Sequence, residues 1–199
     1  MKALLVVPVL FTPFLFPAET GSSGPAAPRG AAWNVDSAHS SVVFKVKHAG
    51  ISNFYGTFNE VSGEVVLDPA SPGDGKVELT IPVASLDTRN EKRDEHVMGP
   101  DFFDGKENPE IHFVSSKIKG AGKDGFAVEG ELTMAGKKHG VTLEVAKTGE
   151  GDFMGGHRAG YEATFTVKRS DFGMKYGLDG GALGDEVTLM VALELTAAK

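Results

Sequence analysis

The sequence predicts an all-β fold of about eight antiparallel strands, closed into a barrel or stacked as a sandwich. Three observations predict it. From Trp33 onward, apolar residues mostly alternate with polar ones, the period of a strand with one apolar and one wet face. Turn residues punctuate the runs, and Gly alone supplies 26 of the 199 residues. Strand patterns do not alternate with helical ones, which argues against a parallel α/β sheet. Phe outnumbers Tyr and Trp together, 13 against 3 and 1. Phe brings apolar volume without a group that needs a hydrogen-bond partner. With no long second apolar face, this surplus favours one closed sheet around an apolar lumen, either self-filled or holding one small ligand.

The elements follow in order. Lys2 is the one charge in residues 1–16, and an apolar run broken by Pro8 and Pro13 comes after it. The run is shorter than the roughly 20 apolar residues of a spanning helix, and the prolines weaken a helix further. This is the layout of a secretory signal peptide. Residues 1–23 are therefore expected to be removed on export to the periplasm or medium, leaving no integral membrane span. Residues 24–32, rich in Gly, Pro and Ala, read as a flexible linker. Residues 33–199 form the folded domain.

Within it, Val42, Phe44 and Val46 mark the first alternating strand. Val77, Leu79, Ile81 and Val83 mark the next clear one, followed by residues 126–134, 161–167 and 187–195. Segments 56–67, 111–118 and 141–147 are three more candidates. Turns are expected at Asp68-Pro69, at Ser71-Pro72-Gly73-Asp74-Gly75, within 120–125, at Ala135-Gly136 and at Gly149-Glu150-Gly151-Asp152. Residues 88–98 are polar and read as a short helix, capped by Asp87 or Thr88 and stopped by Gly99-Pro100. Asp101-Phe102-Phe103-Asp104 then forms an apolar knuckle in a loop.

Composition excludes several functions. A formal charge of -7 opposes nucleic-acid binding, which needs a basic surface. The absence of cysteine excludes disulfides, a thiol nucleophile and thiolate metal sites. The six histidines, His39, His48, His96, His112, His139 and His157, form no short metal motif. There is no G-x-S-x-G elbow. Asp36, His39 and Ser40 stand close in sequence, but a triad is a matter of geometry. Gly180-Gly181-Ala182-Leu183-Gly184 precedes a strand rather than joining strand to helix, so a phosphate cradle is not expected. No catalytic residue, metal or cofactor is assigned.

Ordered motifs add a resemblance. They begin with Trp33-x-Val35-Asp36-x-x-His39-Ser40-x-Val42-x-Phe44-x-Val46-x-His48, then Gly50-Ile51-Ser52 and Gly56-x-Phe58. Ile81-x-Val83-x-Ser85-Leu86-Asp87-Thr88, Arg93-Asp94-x-His96 and Asp101-Phe102-Phe103-Asp104 follow. The set closes with Asn108-Pro109-x-Ile111-x-Phe113-x-Ser115, Gly130-x-Leu132-Thr133-Met134-x-Gly136 and Arg169-Ser170-Asp171-Phe172-Gly173-Met174. From Trp33 nearly to the C-terminus, the chain resembles the YceI-like family of exported polyisoprenoid-binding proteins. Val97-Met98 after His96 and the long Gly-rich stretch 149–160 depart from its usual pattern.

The resemblance implies a lipocalin-like barrel with an elongated apolar cavity, a helix near one mouth, bound prenyl-chain lipid and no catalysis. It also implies homodimers among the members. The ligand would be a prenyl quinone, a polyprenyl phosphate or a fatty-acid derivative. The competing reading is a filled barrel acting as an interaction module beside a membrane redox system. Lining candidates are Val42, Phe44, Val46, Phe58, Val83, Phe102, Phe103, Phe113, Phe126, Leu132, Phe165 and Phe172. Arg93, His96 and Arg169 are candidates for touching a head group, although Arg93 with Asp94 and Arg169 with Asp171 could equally fix loops.

Overall fold

A computed structural model describes residues 32–198. The expected signal peptide, and the linker up to residue 31, lie outside the described residues.

Eleven strand segments form one sheet: β1 (Trp33–Val35), β2 (Ser41–His48), β3 (Ser52–Phe58), β4 (Ser62–Val66), β5 (Lys76–Pro82), β6 (Leu86–Asp87), β7 (Glu110–Ala121), β8 (Gly125–Met134), β9 (Lys137–Phe153), β10 (Gly156–Lys168) and β11 (Leu183–Ala197). They make eight legs of an up-and-down antiparallel barrel. The first three legs are broken, as β1 with β2, β3 with β4, and β5 with β6. The ring closes because β11 pairs with β2 over Leu183–Ala192 and with β1 over Leu195–Ala197. The break between β1 and β2 is a 3₁₀ turn, Ser37–His39, started by the Asp36 carboxylate accepting from Ala38 N–H. Among the described residues, closure leaves no long free edge for another chain to pair with.

One gap remains. β6 pairs with β3, while β5, not β6, pairs with β7. The helix α1 (Glu91–Met98) and the loop after it stand at this gap and define one mouth of the barrel. Asn90 caps α1 by accepting from Arg93 N–H, not Asp87 or Thr88 as expected. Those two residues have other duties: Asp87 accepts from Arg89 N–H, and Thr88 donates to Asp94.

Two further expectations are corrected. Segment 56–67 is not one strand but the end of β3 and all of β4, broken at residues 59–61, where Asn59 N–H donates to Ser85 C=O. Residues 149–152 are strand, not turn. β9 runs on to Phe153, and the reversal is at Met154-Gly155, with φ of 49° and 79°. Such a two-residue turn matches strand twist and needs positive φ. Thr148 bulges out of the ladder opposite Gly160-Tyr161, and that bulge carries the pairing past the glycines.

Two glycines shape the interior. A Cβ at Gly56 would lie 2.3 Å from Phe44 Cζ, and one at Gly130 would lie 2.5 Å from Phe113 Cζ. Each ring therefore lies over bare backbone on the wall instead of standing into the lumen. At the end away from α1, Trp33, Val65, Phe126, Val128, Ala159 and Leu195 are buried.

Candidate functional site

The barrel holds a cavity of about 310 Å³ with its mouth at α1. Its wall comes from alternate residues of the strands, because period two sends every second side chain inward. Nine of the twelve apolar candidates line it: Val42, Phe44, Val46, Phe58, Phe102, Phe103, Phe113, Leu132 and Phe165.

The other three do not. Val83 is buried in the 3₁₀ turn after β5, 3.1 Å from where a Cβ at Gly105 would sit. Phe126 is an inward position of β8, but at the closed end, packed on Tyr161 at 6.3 Å between ring centroids. Phe172 lies in the loop after β10, against His139 at 4.9 Å. Alternation predicts that a side chain points inward, not whether it borders space or other side chains.

The decisive feature is what the inward residues lack. Ile81, Phe44, Phe165, Val187, Leu189, Val191 and Leu193 face the interior yet are only partly buried. They border a void, so the barrel is not filled by its own side chains. Leu189, Val191 and Leu193 were legible as the apolar face of β11 but were not singled out. Phe54 lies outside every segment in which the sequence marks a strand. The inward series Phe54, Gly56 and Phe58 was the available signal. Tyr176, in the loop before β11, carried no periodic signal.

Five polar wall residues stand at the mouth, Thr88, Arg93, His96, Arg169 and Tyr176, while Tyr161 and Glu162 of β10 lie deeper. Arg93 donates from Nε to Thr88 Oγ1 at 2.9 Å and from Nη2 to Thr88 C=O at 2.7 Å. Its guanidinium stands 4.5 Å over the Phe54 ring, a cation–π contact. Arg169 is 3% exposed and donates to three main-chain carbonyls, Gly184 at 2.8 Å, Met174 at 2.8 Å and Leu183 at 3.0 Å. Burial pushes its pKa down and nearby Asp185 opposes the shift, but an arginine stays charged. His96 meets Asp101 at 2.9 Å and is edge-on to Phe102 and Tyr176. The aspartates paired with these arginines from sequence serve elsewhere: Asp94 accepts from Thr88, and Asp171 N–H closes a loop turn to Lys168. It is Asp185 that holds Ser170.

Outside the cavity, Asp36, His39 and Glu194 approach one another on the outer surface. Arg158 already donates to both carboxylates, so this cluster has its cation. His39 and Arg158 together bring the Asp36 carboxyl down to about 2. Ser40 Oγ donates to Asp36 C=O rather than to His39, so the local Asp, His and Ser tie a corner of the chain.

The far end of the barrel is capped by charge. His157 lies between Glu150, 2.8 Å from Nε2, and Asp152, 2.7 Å from Nδ1, and its ring packs on Trp33. Lys147 also pairs with Glu150. The Lys147 and His157 partners lower the Glu150 pKa, and Glu150 and Asp152 raise that of His157. Among the described residues no helix is long and apolar enough to cross a membrane.

Fold and cavity together define a class: an eight-legged antiparallel barrel with a deep apolar pocket open at one mouth. The chain belongs to the YceI-like family, whose domain matches residues 33–195. It is 38% identical over 157 residues to the UPF0312 protein of Photorhabdus laumondii, covering 78% of this chain and 80% of that one. A UPF0312 protein of Pseudomonas aeruginosa matches equally, at 38% over 157 residues. Among solved structures, BcnA of Burkholderia cenocepacia is 33% identical with a TM-score of 0.74, covering 80% of this chain and 98% of BcnA. The YCEI protein of Campylobacter jejuni is 30% identical with a TM-score of 0.68, over 78% of this chain and 91% of that one. A polyisoprenoid binding domain from Saccharophagus degradans shares the fold, with a TM-score of 0.63 and 15% identity over 84% of this chain and 99% of that one.

Proposed function

We propose that this protein binds a long isoprenoid lipid, a prenyl quinone or a polyprenyl phosphate, tail-first in the barrel, and that it carries or stores that lipid without catalysis. One observation carries the reading: Ile81 of β5, Ala163 and Phe165 of β10 and Val187 to Leu193 on the inward face of β11 border a void and are only partly buried. An open apolar lumen is out of keeping with a filled interaction module. The fold shared with a polyisoprenoid binding domain supports the same ligand class.

The energetics suffice. Burial is worth about 0.8 kcal/mol per CH₂, so each five-carbon unit offers roughly 4 kcal/mol gross. A few units approach the practical ceiling of about 20 kcal/mol, before the cost of ordering the tail. A strong head-group site is not required. The mouth is where a head group would rest, because Thr88, Arg93, His96, Arg169 and Tyr176 stand there.

Organic extraction of the purified protein followed by mass spectrometry tests the reading. A co-purifying prenyl lipid is the expected result. An empty extract, together with no uptake of added prenyl alcohol, would overturn it; a fatty-acid derivative in the extract would change the ligand class. We further propose export, on the short Pro-interrupted apolar run. N-terminal sequencing should find a start between residues 19 and 33, and an intact Met1 in a membrane fraction would refute cleavage.

A further inference from the structure

The cavity is blind, and its depth is set by few residues. On β11 the wall residues Val187, Leu189, Val191 and Leu193 are partly exposed to the lumen, while Leu195 is fully buried. On β10, Phe165 and Ala163 border the void, but Tyr161 is 5% exposed and Ala159 below it 2%. Behind Tyr161 stands the Phe126 ring, and Trp33 closes the same end under the charged cap of His157. Tyr161 and Leu195 thus belong to the floor, together with Val65, Leu67 and Val77, which line the cavity at the same Trp33 end.

One inward step above Tyr161 stands Ala163, paired with Val191 on one side and Val145 on the other, both of them cavity wall. Its neighbours on the same face of β10 are Tyr161 and Phe165. A methyl between two aromatic rings leaves space where a larger side chain would divide the lumen from its floor.

We infer that Tyr161 and Ala163 set the longest prenyl tail that the barrel accepts, Tyr161 as the stop and Ala163 as the gap that keeps the lumen continuous down to it. The inference rests on the isoprenoid reading above. Two residues of strand span about 7 Å, or about 5 Å along the axis of a barrel with tilted strands. One extended isoprene unit adds a comparable length, so a change at either position should move the limit by about one unit.

The test titrates the exported protein, stripped of bound lipid on a hydrophobic resin, with prenyl alcohols lengthened from farnesol in single isoprene steps. In the wild type, affinity should climb with each unit and then level off. Ala163→Phe should level off about one unit sooner, with an unchanged melting temperature because the ring enters empty space. Tyr161→Ala should level off about one unit later. Tyr161→Leu serves the same purpose if the alanine variant does not fold. Equal break points in wild type and variants, with prenyl alcohols still bound, would overturn the ruler and leave the isoprenoid reading standing. No binding of any prenyl alcohol to the wild type would instead sink that reading.

Discussion

The ring of Phe44 on β2 occupies the space that a side chain at Gly56 on β3 would need, with 2.3 Å between Cζ and the position of a Cβ. The two residues are directly paired across the strands. Gly56→Val should therefore push the Phe44 ring into the lumen. The expected cost is about 1–3 kcal/mol of stability, the range for overpacking. Prenyl alcohol uptake should fall, because the displaced ring takes ligand volume. Thermal melting and titration on the same variant check both effects. Unchanged uptake would show that the flat ring is not what keeps the lumen open.

Arg169 is a clamp. It joins the loop after β10 to the start of β11 through three main-chain carbonyls. Arg169→Ala should cost about 3 kcal/mol or more, because hydrogen bonds to a charged donor are strong and the carbonyls lose their partner. Arg169→Lys should recover only part of this, since an ammonium cannot reproduce the planar fork. Head-group preference should not change in either variant. Denaturant melts and ligand titrations give the two readouts.

A tail-held ligand predicts indifference to the head. Both mouth arginines already donate to protein acceptors. A neutral prenyl alcohol and an anionic prenyl phosphate of equal length should bind within about tenfold, roughly 1.4 kcal/mol. High salt should change little, because buried apolar contact is not screened as exposed charges are. A hundredfold preference for the phosphate, lost in Arg93→Ala, would establish a head-group site.

The charged cap at the far end should respond to pH. His157 has its pKa raised by Glu150 and Asp152, so its contribution is complete below the ordinary histidine value of about 6.5. That contribution is lost as pH rises through the folded value. Glu150 has its pKa lowered, so its contribution is present above the ordinary carboxyl value of about 4.3 and fades as pH falls through the folded one. The melting-temperature advantage of wild type over His157→Gln should be greatest near pH 6 and shrink toward alkaline pH. An advantage that grows toward alkaline pH would contradict this pairing.

Much of the fold was legible because strand periodicity is local. Alternation at Val42-x-Phe44-x-Val46 and along 187–195 assigns inward faces without knowledge of any partner strand. The polar run before Gly99-Pro100 likewise announced α1. The cap was misplaced because Asp87, Thr88 and Asn90 can all cap, and the contest among them is decided by contacts of Asp94 and Arg89 outside the helix ladder. The hairpin of β9 and β10 was misread because Gly149 and Gly151 weaken a strand locally, while the ladder with β10 and the bulge at Thr148 hold it.

Local pattern along the chain suffices for a β-barrel of the YceI-like kind with Phe-rich inward faces. These properties follow from period two and from ordered motifs, both carried by neighbouring residues. Tertiary structure alone decided that Phe44 and Phe165 border a void while Phe126 is packed at the closed end, and that Arg93 and Arg169 spend their donors on the protein. Depth in a barrel and the pairing of a buried donor depend on atoms far away in the chain, and no local pattern encodes them.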